Sequence, residues 1–271
     1  CGGSSIVFLN VGKSTNAKSA VKMFGNGYSN QLLILREIEI LSSCPHPTII
    51  KIHHFTCNPW SVVMEYAPNR NLENNFRSLS PTQKSIVMYG LSLGMEFLHA
   101  SHVVHRDLKP ENILMNENFE PKIADFSNSK HLNRENFELS RLCGSFAYSA
   151  PELRMCDGGS YPVDIWSFGT ILYELITGEY APPLQNPEDV PPLIFPKNCE
   201  EHKLRELVQC CRNMNPCLRP KFSDIVKFIE TDPEYRFKGT DPILFEDYMR
   251  RVKVSTDSNI IYGGVYTHPE E

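Results

Sequence analysis

The sequence is typical of an α+β protein with a small β-rich N-terminal lobe and a larger helical C-terminal lobe. Short runs rich in β-branched residues dominate the first 66 residues, and such runs favour strands. Beyond residue 72 the apolar residues recur at helical spacing instead. At 271 residues the chain is long enough for two modest lobes.

The N-terminal lobe is predicted to contain four strands and one helix. The strand candidates are SIVFLNV (5–11), KSAVKMF (18–24), TIIKIHHF (48–55) and WSVVMEYA (60–67). The helix candidate, NQLLILREIEILSS (30–43), places Glu37 on the same apolar stripe as Leu41. Because an inward-facing carboxylate is costly unless it is paired, we expect a cationic partner for Glu37.

The C-terminal lobe is predicted to contain four longer helices. One begins with the cap Ser80, the first-turn Pro81 and the capping-box partner Gln83. A second, apolar almost all round, ends at Gly178. The other two are the amphipathic segments 202–214 and 222–230; the tail that follows is more polar, with one short helical stretch, LFEDYMRR.

The change of character near Ala67–Asn71 predicts how the chain is divided. We expect an N-terminal lobe over 1–66, a connecting segment over 67–71, a C-terminal lobe over 72–230 and an extension over 231–271. The first residue is Cys1 rather than methionine, so the sequence is interpreted as a fragment or an excised domain.

Composition excludes several kinds of partner. The net charge of −5 does not favour nucleic acid or anionic membranes. No apolar run approaches the roughly 20 residues that span a bilayer, and no secretory leader is visible. Nine cysteines without a C-x-x-C pair indicate free thiols in a reducing compartment. We therefore expect a cytoplasmic location, although the sequence does not exclude the nucleus. The sequence does not indicate an oligomeric state.

The segment VVHRDLKPENILM (103–115) carries the strongest chemical signal. Asp107 is followed by Lys109 and Asn112, and Asp125 lies beyond a turn. Phosphoryl transfer needs a carboxylate that orients the acceptor, a cation near the transferred phosphate and oxygen ligands for a divalent metal. Asn112 and Asp125 supply oxygens that suit Mg²⁺.

The segment VGKST (11–15) resembles the end of a P-loop, but it does not fit that motif. A P-loop requires glycine where this chain has Val7, and a helix after the threonine. The residues that follow are typical of a strand.

With HRDLKPENIL complete, the chain resembles the protein kinase superfamily, and the resemblance covers nearly its whole length. It implies the bilobal kinase fold, with an antiparallel sheet in the smaller lobe, and ATP and Mg²⁺ as cofactors. SAVK makes Lys22 the lysine that holds the nucleotide phosphates, and Glu37 its partner. VMEYA resembles the hinge, with Met64 as gatekeeper. The implied ATP-binding residues are Gly2, Gly3, Val7, Ala20, Lys22, Glu37, Met64, Glu65, Ala67 and Leu114.

The resemblance also implies structural and regulatory roles outside the nucleotide site. His105 is expected to be a core residue of the catalytic loop, and Phe126 to pack against the helix near Leu41. Asp164 would anchor the catalytic-loop backbone. Arg219 would pair with Glu152 of the SAPE segment.

The glycine-rich loop departs from the family pattern. Gly2 takes the second glycine position and Ser5 the third, while the first glycine and the first strand would precede Cys1. We therefore expect weakened cover over the phosphates.

The implied reaction is phosphorylation of serine or threonine in proteins. Lys109 follows the serine/threonine pattern, and Ser145 would contact Asp107 and Lys109. Glu111 and Glu174 match acidic positions that recognise basic residues upstream of the acceptor. A third such position holds Asn71, so only a mild preference is expected. The subfamily stays open, with some tyrosine-kinase-like character in the C-terminal lobe.

Two alternatives concern regulation and activity. Arg106 would bind a phosphate on Ser140, or a fixed pair between Arg106 and Glu138 would replace phosphorylation. Ser127 stands where the family has glycine, which narrows backbone freedom and adds a hydroxyl. The competing hypothesis to an active enzyme is a pseudokinase that serves as a scaffold or an allosteric binding module.

Overall fold

The computed structural model describes residues 5–13, 15–25, 28–132, 147–154, 160–183 and 190–262. Within these ranges it has the two predicted lobes, a sheet with one helix and then a helical body. No helix in the described ranges has the length and apolar character that crossing a bilayer requires.

The smaller lobe is an antiparallel sheet whose strands lie in the order β1-β2-β4-β3. Its elements are β1 (Ser5–Val11), β2 (Lys18–Phe24), α1 (Tyr28–Ser43), β3 (Ile52–Cys57) and β4 (Trp60–Glu65). The two N-terminal strands have the predicted bounds and form the predicted hairpin. β1 is one of the two edge strands. Its apolar side chains are exposed, Val7 among them.

The prediction of a strand over 48–55 was wrong at its beginning. Thr48 and Ile50 instead exchange backbone hydrogen bonds with Ile123, at 2.7 and 2.9 Å, and β3 starts only at Ile52. Because Ile123 belongs to the larger lobe, this segment joins the two lobes. The strand predicted over 60–67 also ends earlier, at Glu65.

The helices of the larger lobe are α2 (Pro81–Ala100), α3 (Pro151–Arg154), α4 (Pro162–Thr177), α5 (His202–Cys211), α6 (Phe222–Thr231) and α7 (Pro242–Tyr262). The lobe is built around two of them, α2 and α4, most of whose side chains are buried. The predicted capping box at Ser80 and Gln83 is present at the start of α2. Gly178 ends α4 in the left-handed region, at φ 72°, as glycine readily does.

Two short antiparallel strand pairs position the segment between α2 and α3. β5 (Val103–Val104) pairs with β8 (Lys130–His131), and β6 (Ile113–Met115) pairs with β7 (Pro121–Ile123). A 3₁₀ turn, Pro110–Asn112, leads into β6. The residues between β5 and β6 are thereby held at both ends by backbone pairing.

The described part of the predicted extension, 231–262, is more helical than its sequence indicates. Instead of a short helix over 244–251, α7 runs from Pro242 to Tyr262. Phe245, Tyr248 and Val252 are buried in the main core, and Tyr89 of α2 contacts both aromatic rings edge-on. The extension therefore covers the larger lobe.

Candidate active site

Asp107 lies at the centre of a hydrogen-bonded cluster. Its Oδ2 accepts from Lys109 Nζ at 3.0 Å and from Asn112 Nδ2 at 3.2 Å. The same Asn112 amide donates to the Asp107 carbonyl at 2.8 Å. Since Asp107 is 8% exposed, these contacts hold a carboxylate that retains an opening to solvent.

Asp164 of α4 fixes the backbone just before Asp107. It is fully buried, and its two oxygens accept from the backbone N–H groups of His105 and Arg106, both at 2.8 Å. Arg106 adopts the left-handed region, at φ 67°, a strain that such contacts can maintain. Burial alone would raise the pKa of Asp164, but the His99 hydrogen bond and nearby His105 lower it below its ordinary value.

His105 connects Asp107 to the segment that carries Asp125. Its Nδ1 accepts from the Asp107 N–H at 3.3 Å, so Nε2 is the protonated nitrogen that donates to the Ala124 carbonyl at 3.2 Å. The buried Phe126 ring packs on His105 with centroids 5.1 Å apart. Phe126 and Leu41 of α1 belong to the same core.

Lys22 of β2 connects both lobes through two carboxylates. Its Nζ lies 2.7 and 2.8 Å from the oxygens of Glu37 and 3.2 Å from Asp125 Oδ1. Burial would lower the pKa of Lys22, but the charges of Glu37 and Asp125 outweigh it and raise the pKa. Burial raises the pKa of Glu37, and the charge of Lys22 opposes that rise.

Asp125 is held in an unusual backbone conformation by its neighbours. It lies in the left-handed region, at φ 61°. Burial opposes its ionisation, but the charge of Lys22 and a hydrogen bond from the Ser127 side chain lower its pKa. The residue that replaces the expected glycine therefore contacts the carboxylate directly.

Asn112 and Asp125 lie on adjoining segments, because the Ala124 N–H donates to the Asn112 carbonyl at 2.8 Å. The Asn112 amide nitrogen is engaged with Asp107, so the donor atom that its side chain could offer a metal is the amide oxygen. An amide oxygen and an ionised carboxylate are the kind of donor set that fits Mg²⁺.

Five of the expected adenine-side residues lie around the junction of the lobes. Ala20 and Met64 are direct partners in the β2–β4 register. Glu65 ends β4, and Leu114 of β6 is bridged to Asn71. Ala67 follows β4 in the connecting segment.

Glu152 of α3 and Arg219 form a two-point ion pair, with contacts of 2.6 and 3.0 Å. Arg219 also donates to the carbonyls of Asn213 and Pro162, and its guanidinium stacks over Trp166. All these contacts fix α3 against the start of α4.

Comparison with known proteins identifies this arrangement. The chain matches the protein kinase domain over residues 1–228. The chain belongs to the protein kinase family. The match covers both lobes and ends within α6. The kinase relatives include proteins of the serine/threonine type, the type that the sequence predicted.

Three relatives illustrate the range of similarity. The chain is 34% identical to mitogen-activated protein kinase kinase 9 of Arabidopsis thaliana, covering 78% of this chain and 75% of that protein. It is 32% identical to the serine/threonine/tyrosine-protein kinase HT1 of the same plant, over 72% and 53%. A probable serine/threonine-protein kinase of Dictyostelium discoideum is 30% identical, over 71% of this chain and only 16% of that protein.

Some predicted kinase residues lie outside the described part of the chain. These are Gly2 and Gly3 of the phosphate loop and Ser140 and Ser145 of the activation segment. Their predicted roles stay predictions.

The structure adds residues that the sequence did not single out. Asn128 Nδ2 lies 3.3 Å from Asp107 Oδ2, and His99 Nε2 lies 2.9 Å from Asp164 Oδ2. Glu73 lies near Glu111 and raises its pKa, although burial raises that pKa more. Asn128 adjoins a recognisable motif, but no spacing rule indicates that its side chain turns toward Asp107.

Proposed function

We propose that this kinase domain transfers the γ-phosphoryl group of ATP, with Mg²⁺, to serine or threonine hydroxyls of proteins. The observation that carries this proposal is the proximity of two clusters. Asp107, Lys109 and Asn112 form one, and Lys22, Glu37 and Asp125 form the other. The Ala124–Asn112 backbone bond joins their segments.

Asp107 would orient the acceptor hydroxyl and accept its proton, while Lys109 would balance the charge that develops beside it. Lys22, held by Glu37, would bind nucleotide phosphates. These roles require the Asp107 cluster and the Lys22 cluster at the same time. The contact between Lys22 and Asp125 shows that the two lobes are already close together.

Asn112 and Asp125 would hold Mg²⁺, which supplies neutralisation of phosphate charge when bound. Ala20, Met64 and Leu114 would contact the adenine ring, with backbone groups of Glu65 and Ala67 as its hydrogen-bonding partners. Gly2, Gly3 and Val7 would cover the phosphates.

The test is phosphate transfer from labelled ATP to a generic basic protein substrate, with ATP binding followed in parallel. Asp107→Asn should reduce transfer about 100-fold or more while ATP binding persists. Asp125→Asn should weaken transfer and Mg²⁺-dependent ATP binding together. The matched control is Asp247→Asn, because the Asp247 side chain on α7 is 43% exposed and, among the described residues, it pairs with the surface residues Arg250 and Arg251.

The pseudokinase alternative predicts a different pattern. A scaffold would show no transfer above the Asp107→Asn background, even where wild-type protein binds ATP. Transfer that is equal in the wild type and Asp125→Asn would remove the metal-ligand assignment.

A preference for basic residues upstream of the acceptor is supported by three glutamates. Glu111 has a buried side-chain oxygen without a hydrogen-bond partner among the described residues, and Glu73 lies close to it. Glu174 is buried beneath them and accepts from the Tyr148 hydroxyl at 2.9 and 3.0 Å. A peptide library should show enrichment of arginine or lysine that Glu111→Gln weakens; no enrichment would contradict the preference.

Control by a phosphate on Ser140 is supported by two arginines. Burial, and then the nearby charge of Arg106, lower the pKa of Arg36. A phosphate carries the charge opposite to that of these guanidinium groups and would be attracted to them. Ser140→Ala should reduce peptide phosphorylation; unchanged activity would favour the fixed pairing of Arg106 with Glu138.

We further infer lobe limits of 1–66 and 72–230, a hinge over 67–71 and an extension over 231–271. The end of β4 at Glu65 and of α6 at Thr231 support these limits. A cytoplasmic location is supported by the described cysteines, which are free thiols.

A further inference from the structure

We propose that Asn128 is a positioning residue that orients the catalytic carboxylate of Asp107. The inference rests on the proposed function and assigns Asn128 a part in it. Asn128 lies three residues after Asp125 and is partly buried.

Three donors converge on one oxygen of Asp107. Lys109 Nζ, Asn112 Nδ2 and Asn128 Nδ2 lie 3.0, 3.2 and 3.3 Å from Oδ2. Because an ionised carboxylate only accepts hydrogen bonds, the Asn128 side chain must present its NH₂ group to it. Hydrogen bonds to charged groups are among the stronger ones in proteins.

The other oxygen of Asp107 is left available. Within the described ranges no hydrogen bond or ion pair reaches Oδ1. With Oδ2 held by three donors, Oδ1 is the atom that can accept from an acceptor hydroxyl. Loss of one donor would let the carboxylate rotate, and the reacting oxygen would lose its alignment.

Asn128 is itself held between two fixed points. Phe126 is fully buried against His105. Ser129, also fully buried, donates from its hydroxyl to the His105 carbonyl at 3.2 Å and from its N–H to the Phe126 carbonyl at 3.1 Å. Asn128 therefore acts from a rigid turn, as orienting groups require.

The experiment compares Asn128→Leu with Asn128→Gln in single-turnover phosphorylation of a peptide at saturating ATP. Leucine approximates the shape without a donor, whereas glutamine keeps the carboxamide. The leucine variant should lose about 10- to 100-fold in rate, with an unchanged KM for ATP, and the glutamine variant should lose less. Equal rates in both variants, or a wild-type rate in the leucine variant, would overturn the proposal.

A double-mutant cycle with Asp107→Asn separates positioning from a general structural effect. If Asn128 acts through Asp107, adding Asn128→Leu to Asp107→Asn should change the residual rate by less than about twofold. A further loss as large as in the wild-type background would overturn the assignment.

A crystal structure of the Asn128→Leu variant keeps the inference testable even if the wild type transfers no phosphate. In that case the proposed function fails, while the inference still requires Asp107 to turn away from its contacts with Lys109 and Asn112. An Asp107 carboxylate in its wild-type orientation would overturn the inference independently of activity.

Discussion

Lys22 and Glu37 form a two-point ion pair between β2 and α1, with side chains 12% and 2% exposed. Glu37→Gln keeps the shape but removes the charge, so Lys22 would pair with Asp125 alone. We expect the KM for ATP to rise about tenfold, since the lysine is then displaced from the phosphates. The control is Glu39→Gln, which changes an exposed glutamate of the same helix; equal effects of both changes would contradict the prediction.

Glu152 and Arg219 should contribute more to stability than an exposed pair of the same charges. The Arg219 side chain is fully buried, and Glu152→Ala leaves its guanidinium without a counter-charge. We expect a loss of about 3–5 kcal/mol in the free energy of unfolding. Glu200→Ala, which breaks the exposed pair with Lys238, should cost far less, because water screens the two charges of that pair. Urea denaturation of both variants checks the difference, and similar losses would refute it.

Elements with local signals could be predicted from the sequence. The capping box at Ser80 and Gln83 determines where α2 begins, and the polar loop between two β-branched runs determines the β1–β2 hairpin. Each signal acts among residues that are neighbours along the chain. Burial of Glu37 predicts only that its partner is a cation. The resemblance to kinases identifies that partner as Lys22.

Elements that depend on distant partners could not be predicted. Thr48 and Ile50 look like strand residues, but they bond to Ile123 far along the chain. The sequence of α7 shows no clear periodicity toward its end. Phe245 and Tyr248 are buried because they pack against Tyr89 of α2. The contact of Asn128 with Asp107 likewise exists only once the β5–β8 and β6–β7 strand pairs bring their segments together.

Glu174 should make stability depend on pH. Burial raises its pKa from 4.5 to about 7, so the folded state binds this proton more tightly than the unfolded state. The contribution is fully present below about pH 4.5 and is lost as the pH rises through 7. At roughly 1.4 kcal/mol per pH unit, the loss is on the order of 3 kcal/mol.

Glu174→Gln isolates this contribution, because glutamine keeps an oxygen for Tyr148 but does not titrate. Its stability relative to the wild type should increase between pH 5 and 8 in urea denaturation. Glu179→Gln, at a side chain that is 77% exposed, should show no such change. A constant difference between the wild type and Glu174→Gln would contradict the assignment.

Ser127 should restrict motion around Asp125. Ser127→Ala removes only the hydrogen bond to the carboxylate, whereas Ser127→Gly also adds backbone freedom. We expect hydrogen exchange over residues 125–129 to be about fivefold faster in the alanine variant and faster still in the glycine variant. Mass spectrometry of peptides from this segment makes the measurement. Identical exchange in the wild type and Ser127→Gly would show that the serine does not limit the motion of residues 125–129.

Gly90 of α2 is required by the packing of α7. A Cβ at this position would lie 2.2 Å from the Tyr248 hydroxyl and 2.8 Å from Pro121 Cγ. Gly90→Ala should therefore destabilise by about 1–3 kcal/mol, despite the better helix propensity of alanine. The Tyr248 hydroxyl is buried without a hydrogen-bond partner among the described residues, so Tyr248→Phe should be neutral or stabilising.

The double variant decides whether this hydroxyl is the obstacle. Adding Tyr248→Phe should recover much of the stability lost in Gly90→Ala, because it removes the shorter of the two contacts, and thermal unfolding of all four proteins measures the coupling. Recovery would establish that α7 packs directly on Gly90. Strict additivity would mean that Pro121 alone limits the space, or that α7 leaves α2 in solution.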